Sequence, residues 1–268
     1  MSSAALEILK NSLSELNLGF ALSHIETFLH EESRKDRPLL ETLCDLFDHE
    51  LTQRRQRAAK TRLKLSRLPS IKYIEDFNVG EVEGITSKKL AELCSLSFIE
   101  RNDNVVLMGP SGLGKTHILS ALVYKACSEG YTAYFMSAQE LIEELVKAKR
   151  QNRLKRKLKS ICKPHLLAID EIGYETLTKE ESTLFFNLVA ARYEKSSIIL
   201  TTNKTFGQWG ELMGDNAIAT ATLDRLLHHA EVIIMKGEKL PDQKTFKTGL
   251  SPTLPAVFCK KKWEIVFR

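Results

Sequence analysis

The chain has 268 residues, 43% of them hydrophobic and 27% charged, with 13 glycines and 7 prolines. That composition excludes a collagenous or low-complexity chain and leaves room for one sizeable core, alone or with a small satellite domain. No apolar run approaches the roughly 18 residues of a membrane span, and the start of the chain lacks a basic region followed by an apolar one, so a soluble, cytoplasmic protein without a membrane partner is expected.

The first part, residues 1–68, reads as helical. Leu18, Ala21, Leu22, Ile25, Phe28 and Leu29 recur at helical steps, and so do Leu39, Leu40, Leu43, Leu46, Phe47 and Leu51, with Pro38 suited to a first turn. The second helix meets no breaker before Pro69, so it is expected to end as a long cationic arm. Residues 69–240 alternate strand-like and helix-like runs. Val105–Met108, Tyr131–Ser137, Leu166–Ile169 and Ser197–Thr201 read as strands; helices are expected from Thr116 to about Glu129, from Ser137 through Val146 and from Thr178 through Tyr193. Ser137 with Glu140, and Thr178 with Glu181, have the spacing of capping boxes. Uniformly apolar strands alternating with helices imply an α/β domain, a parallel sheet covered on both faces. Residues 241–268 hold Pro241, Pro252, Pro255 and the triplet Lys260–Lys262, and are too few for a core of their own.

Gly109-Pro110-Ser111-Gly112-Leu113-Gly114-Lys115-Thr116 matches G-x-x-x-x-G-K-[ST] between an expected strand and helix. Glycines let successive backbone N–H groups face one phosphate, and the following helix adds its positive amino end. Lys115 is suited to neutralise the β and γ phosphates of ATP, and the Thr116 hydroxyl to ligate Mg2+. With His117, these residues form the expected nucleotide cradle. Leu166–Ile169 ends in Asp170-Glu171. An acid there holds the metal, usually through water, and the next polarises the attacking water, so Asp170 is assigned to Mg2+ and Glu171 to the general base. Asn203, at the end of the strand Ser197–Thr201, reads equally as a water-orienting amide or an ordinary turn residue. Arg225 reads equally as an arginine finger or as a helix-surface ion pair with Asp224 or Glu231. His228-His229 reads as two residues pointing apart on a helix, a poor metal site. The five cysteines, an odd number without a C-x-x-C pair, read as reduced thiols rather than a zinc site.

The net charge of +5, from 39 basic and 34 acidic residues, is unevenly spread. Thr52–Lys72 contains Arg54, Arg55, Arg57, Lys60, Arg62, Lys64, Arg67 and Lys72 and no acid. Lys147–Lys163 contains Lys147, Lys149, Arg150, Arg153, Lys155, Arg156, Lys157, Lys159 and Lys163, again with no acid. These 17 basic residues leave the rest of the chain net acidic. Such runs suit phosphate backbones, and the scarcity of aromatics within them points to duplex contact rather than base stacking. Arg54, Arg55, Arg57, Lys60 and Arg62 of the first run, with the second run through Lys159, are the candidate DNA contacts.

The blocks GPSGLGKTHI, LLAIDEIGYETLTKEE, FFNLVAARYEKSSIILTTNKTFGQW and ATLDRLLHHAEVI resemble the IstB transposition helper ATPases, AAA+ proteins encoded beside the transposase of certain bacterial insertion sequences. The stretch LCDLFDHELTQRRQRAAKTRLKLSRLPSIKYIEDFN resembles that family's helical domain and linker, and the similarity spans roughly residues 10–238. The resemblance implies an AAA+ core in which Lys115 and Thr116 are the Walker A pair and Asp170 and Glu171 the Walker B pair. It implies sensor 1 at Asn203, and at Arg225 the arginine that reaches a neighbouring subunit's nucleotide. It further implies a homo-oligomer assembled on duplex DNA with ATP, which bends the DNA and recruits and stimulates the transposase. After the last block the family usually carries a Tyr-Arg pair; here the chain runs Gly237-Glu238-Lys239-Leu240-Pro241. The alternative is a replicative helicase loader of the DnaC or DnaI type, with the same core but a dedicated helicase-binding domain and a single-strand preference. A metabolic P-loop kinase would leave both basic runs without a role.

Overall fold

The computed structural model describes residues 3–32 and 38–237. Three helices come first: α1 (Ser3–Glu15), α2 (Gly19–Glu32) and α3 (Leu39–Leu65). Their apolar spacing closes a small core of Leu13, Ala21, Ile25 and Leu46, with Leu18, Leu22, Phe28 and Leu29 packed around it. Glu50 is buried there, and its carboxylate accepts from the N–H groups of Phe20 (2.7 Å) and Ala21 (3.0 Å). A negative group at the amino end of α2 satisfies donors that a helix leaves unpaired.

Helix α3 has 27 residues, about 40 Å at 1.5 Å per residue. The free cationic arm expected from its sequence is not found; its last turns lie against the α/β domain. Leu63 and Leu68 pack on that domain's core. Arg62 Nε donates to the Cys127 carbonyl (2.8 Å), and the Phe135 N–H donates to the Ser66 carbonyl (2.7 Å). The helix continues because no breaker interrupts it, but its apolar residues, Leu63 among them, give it a surface to dock.

The α/β domain is built on β1 (Asn104–Met108), β2 (Ala133–Ser137), β3 (Leu166–Ile172), β4 (Ser197–Thr202) and β5 (Ala230–Ile234). The order is β2-β3-β4-β1-β5, with every neighbouring pair parallel. Alternate strand residues supply two cores. Val105, Leu107, Ala168 and Ile199 meet Ile118, Leu119 and Leu122 of α6 (Lys115–Ser128) on one face. Val106, Leu167, Ile169, Ile198 and Leu200 meet α7 (Ala138–Arg150), α9 (Lys179–Arg192) and α11 (Asn216–Leu227) on the other. This period-two division is what a sheet covered on both sides requires. Three short helices flank it: α4 (Ser87–Cys94), α5 (Ser97–Glu100) and α10 (Trp209–Met213); α8 (Leu154–Ile161) follows α7.

Both capping boxes form: Ser137 with Glu140 opens α7, and Thr178 with Glu181 opens α9. Strand β3 runs three residues past the apolar run, through the acidic pair. Strand β5 carries less sequence signal because it is an edge strand, with Val232 and Ile234 exposed. The segment 241–268, including Lys260–Lys262, lies outside the described residues, as does Glu238 onward of the departure noted above.

Candidate nucleotide site and basic face

The expected phosphate loop leaves the carboxyl end of β1 and enters α6. Gly109 has φ +155°, and a Cβ there would lie 2.3 Å from the Met235 carbonyl oxygen, so only glycine fits. Gly112 (φ +88°) and Gly114 (φ +77°) take the left-handed turns that bring the loop round to the helix start. Leu113 is fully buried and anchors the loop in the core. Lys115 Nζ donates to the carbonyls of Gly109 (2.7 Å) and Pro110 (2.6 Å), which holds the ammonium over the loop. Burial pushes the Lys115 ammonium below its ordinary range, opposed by Asp170 and Glu171.

Asp170 lies at the end of β3, buried. Its Oδ1 accepts from Thr116 Oγ1 (3.0 Å) and Thr201 Oγ1 (2.6 Å). The hydroxyl and carboxylate assigned to Mg2+ are therefore in contact. The pairing of β3 with β4 slips in register between Ile169 and Ile172, and Glu171 has φ +62°. That kink, secured by the Glu171 N–H donating to Thr201 Oγ1 (2.7 Å), turns Glu171 out to solvent while Asp170 stays inside. Strand β4 lies between β1 and β3, so Asn203, just past its end, falls between the loop and the acidic pair. Its Oδ1 is buried with no hydrogen-bond partner among the described residues, a polar group awaiting one. Paired donors around a buried acid, a flexible-backbone loop with its lysine and an unpartnered amide suit a nucleotide phosphate with a hard cation.

Three residues of this edge escape any spacing rule. Thr201 binds both Asp170 and the Glu171 backbone. Gly173 has φ +112°, and a Cβ there would meet Lys204 Cγ at 2.7 Å and Asn203 Oδ1 at 3.1 Å. Tyr174 OH lies 2.8 Å from Ser111 Oγ and bridges the two loops. His117 engages the segment before α4, with Nε2 2.8 Å from the Tyr73 carbonyl oxygen and its ring 5.9 Å from that of Phe77.

Arg225 sits at the other edge of the sheet. Asn104, the first residue of β1, donates through Nδ2 to the Leu226 carbonyl (2.9 Å) and through its N–H to His229 O (2.7 Å). One strand length, about 15 Å at 3.3 Å per residue, therefore separates the carboxyl end of α11 from the loop that follows β1. Its guanidinium lies 4.8 Å over the Phe186 ring, and Nη1 donates to the Ala221 carbonyl (3.0 Å). The alternative ion pairs do not form: Glu231 pairs with Lys89 (2.9 Å), and no salt bridge joins Arg225 to Asp224 among the described residues.

The two basic runs are brought together. Glu144 of α7 is gripped by Arg67 (3.0 Å) from the first run and by Lys157 from the second. Burial alone would raise the Glu144 carboxyl, but hydrogen bonds from Lys157 and Arg67 outweigh it and hold it below the usual range. Beside this clasp, α7 and α8 enclose an open cleft of about 470 Å³ lined by Lys147, Gln151, Arg153, Arg156 and Ser160. Arg54, Arg55, Arg57, Lys60, Lys147, Lys149, Arg150, Arg153, Lys155, Arg156 and Lys159 are exposed. Lys149 is paired with Glu180 (3.0 Å), and Arg62 is engaged in docking α3. Arg192, fully buried, ties α8 to the sheet by donating to the carbonyls of Ile161 (3.1 Å), Pro164 (3.1 Å), His165 (3.3 Å) and Ser197 (2.8 Å). Desolvation lowers its guanidinium to about 10.

A parallel five-stranded sheet, with a glycine loop and lysine after β1 and an acid at the end of β3, defines a P-loop ATP-binding fold of the AAA+ class. Residues 12–248 match the profile of the IstB-like ATP binding proteins, and the chain belongs to that family. It is 44% identical over 238 residues to the IS21 insertion sequence putative ATP-binding protein of Pseudomonas aeruginosa, covering 89% of this chain and 90% of that one. It is 41% identical over 198 residues to the IS5376 putative ATP-binding protein of Geobacillus stearothermophilus, covering 74% and 79%. Among solved structures, DnaI aligns with a TM-score of 0.51 at 19% identity, covering 66% of this chain and 92% of that one. AMPPCP-bound DnaA from Aquifex aeolicus aligns with a TM-score of 0.50 at 20% identity, covering 62% and 51%. These structural likenesses show the fold. The family match runs to 248, about ten residues past 238, where the similarity read from the sequence ends. No helix among the described residues is long and apolar enough to cross a membrane.

Proposed function

We propose that the protein is an ATP-hydrolysing transposition helper that assembles on duplex DNA, remodels it and recruits and stimulates a transposase. The observation that carries this reading is the division of the nucleotide machinery between two edges of one sheet. Lys115, Thr116, Asp170, Glu171 and Asn203 converge at the carboxyl edge, and Arg225 lies at the amino edge. An arginine on a helix that ends about a strand length from its own phosphate loop serves a neighbour's nucleotide, so the site is complete only between subunits.

In this reading the loop N–H groups and Lys115 bind the phosphates, and Thr116 with Asp170 holds Mg2+, which supplies charge neutralisation when bound. Glu171, turned outward by the strand kink, takes the proton of the attacking water. Asn203 orients that water or the γ-phosphate, and Arg225 of an adjacent subunit stabilises the developing charge. The clasped basic runs, and the cleft of Lys147, Arg153 and Arg156, follow the DNA backbone without reading bases.

The test is ATP turnover by the full chain with random duplex, with single-stranded DNA and without DNA. Duplex is expected to stimulate turnover and to bind with an affinity that falls steeply as salt rises. Stimulation by single strands alone would favour a helicase-loader role. Duplex affinity that barely changed between low and moderate salt would remove the basic face from the reading.

A further inference from the structure

Glu194, His228 and His229 form a cluster of metal-ligating side chains at the amino edge of the sheet. Two turns lie side by side there, one after α9 and one after α11. Helix α11 ends at Leu227, and His228, its cap residue, still has helical dihedrals (φ −55°, ψ −44°), a register that by itself would send the His228 and His229 side chains apart. Their rings instead converge to a centroid distance of 4.2 Å. Glu194 comes from the other turn, with φ +57°, and its carbonyl accepts from Asn102 Nδ2 (3.4 Å). Glu194 Oε1 lies 3.8 Å from His229 Nε2 and 4.0 Å from His228 Nδ1. Tyr193 OH lies 2.8 Å from the same His228 Nδ1, so an ion there displaces that hydroxyl or takes the ring's other nitrogen.

One candidate ligand atom from each of the three residues lies within 4.8 Å of the others, an arrangement given by no other His, Cys, Asp or Glu group among the described residues. Zinc bonds to nitrogen and carboxylate oxygen are about 2.0–2.2 Å, which sets tetrahedral ligands roughly 3.4 Å apart. All three side chains are exposed and free to rotate; the two Glu194–histidine distances exceed that spacing by about half an ångström, and the widest separation in the trio by up to about 1.4 Å. No Lys or Arg ion pair occupies Glu194 among the described residues; its nearest ionisable neighbours there are the two imidazoles. Two imidazoles and one carboxylate are borderline donors that favour Zn2+ and its transition-metal neighbours over Mg2+ or Ca2+.

We propose that Glu194, His228 and His229 bind a divalent transition ion of the zinc class, with one coordination position left open. The ion joins the turn after α9 to the turn after α11. It thereby fixes the end of the helix that carries Arg225, three residues before His228. This site does not depend on the ATPase reading, because its ligands lie at the edge opposite Lys115 and Asp170.

The experiment uses the full chain, stripped with chelator and titrated with Zn2+ against a chromophoric competitor, and separately with Co2+ followed by visible absorption. One equivalent is expected at micromolar affinity or tighter, with a Zn2+-dependent rise in melting temperature. His229→Ala and Glu194→Gln should each weaken binding at least tenfold and abolish that rise. His165→Ala, an exposed histidine elsewhere, should leave both unchanged. These side chains are exposed, and circular dichroism of each variant checks that it folds. Affinity weaker than 100 μM, or tight binding that survives His229→Ala and Glu194→Gln, overturns the proposal.

Discussion

The two edges of the sheet are organised in opposite ways. At the carboxyl edge most polar groups satisfy one another within the chain, with Thr116 and Thr201 on Asp170, Lys115 on the loop carbonyls and Tyr174 beside Ser111, and Asn203 Oδ1 is left without a partner among the described residues. At the amino edge Arg192 is spent on four carbonyls inside the fold, whereas Arg225 rests on a ring and one carbonyl and has no acidic partner among the described residues. An inward arginine stabilises the chain that contains it. A half-buried one without an acidic partner keeps its charge available to another molecule, the contrast that a nucleotide site shared between subunits requires.

The largest test of that contrast is Arg225→Ala. A finger is worth about 10³-fold or more in turnover, so hydrolysis should fall by that order while a monomer's nucleotide binding persists. Mixed oligomers of this variant with Lys115→Ala should regain activity, because an intact loop then meets an intact arginine; steady-state turnover across mixing ratios measures it, and no recovery would break the comparison. Glu171→Gln should cut turnover by about 10²–10⁴-fold while leaving ATP and DNA binding near wild type, as read by single-turnover kinetics and filter binding. Unchanged turnover would remove Glu171 as the base.

Arg192→Ala should act on stability alone. It leaves buried carbonyls unpaired and empties a buried volume, costing about 3 kcal/mol or more in urea unfolding. Intact stability would mean that the Arg192 hydrogen bonds are dispensable to the fold and that the contrast with Arg225 fails. The smallest effect is expected at Glu144→Gln. A partly exposed clasp contributes at most about 1 kcal/mol. Because the folded Glu144 carboxyl lies below its ordinary range, the wild-type contribution is present above the unfolded value and is lost as pH falls through the folded one. Stability of wild type and variant should therefore differ near neutrality and converge in acid, and identical profiles would show that the clasp is idle.

Much of the carboxyl edge was legible in advance because its chemistry is local in sequence. A glycine loop, its lysine and threonine and a strand-end acid pair are short motifs whose neighbours are chain neighbours. Capping boxes are legible for the same reason, since Ser137 and Glu140 interact across one turn. Thr201 was not, because its partner Asp170 is 31 residues away and only strand pairing brings them together. The spacing of His228 and His229 predicts side chains that point apart, yet their ring centroids lie 4.2 Å from each other, because side-chain rotamers at a helix end leave no mark in the sequence.

Composition, periodicity and motif spacing were thus sufficient for the α/β class, the helical first part, the phosphate loop and the acids at the end of β3. They rest on contacts between residues a few positions apart, which a linear pattern records. Three features depended on long-range packing. The β2-β3-β4-β1-β5 order places Asn203 between loop and acids. The docking of α3 draws Arg62 into a structural bond and brings both basic runs onto Glu144. The hydrogen bonds of Asn104 set Arg225 at the edge away from its own phosphate loop. Each joins segments tens of residues apart, and burial of the two sheet faces selects among arrangements that the local pattern leaves equally open.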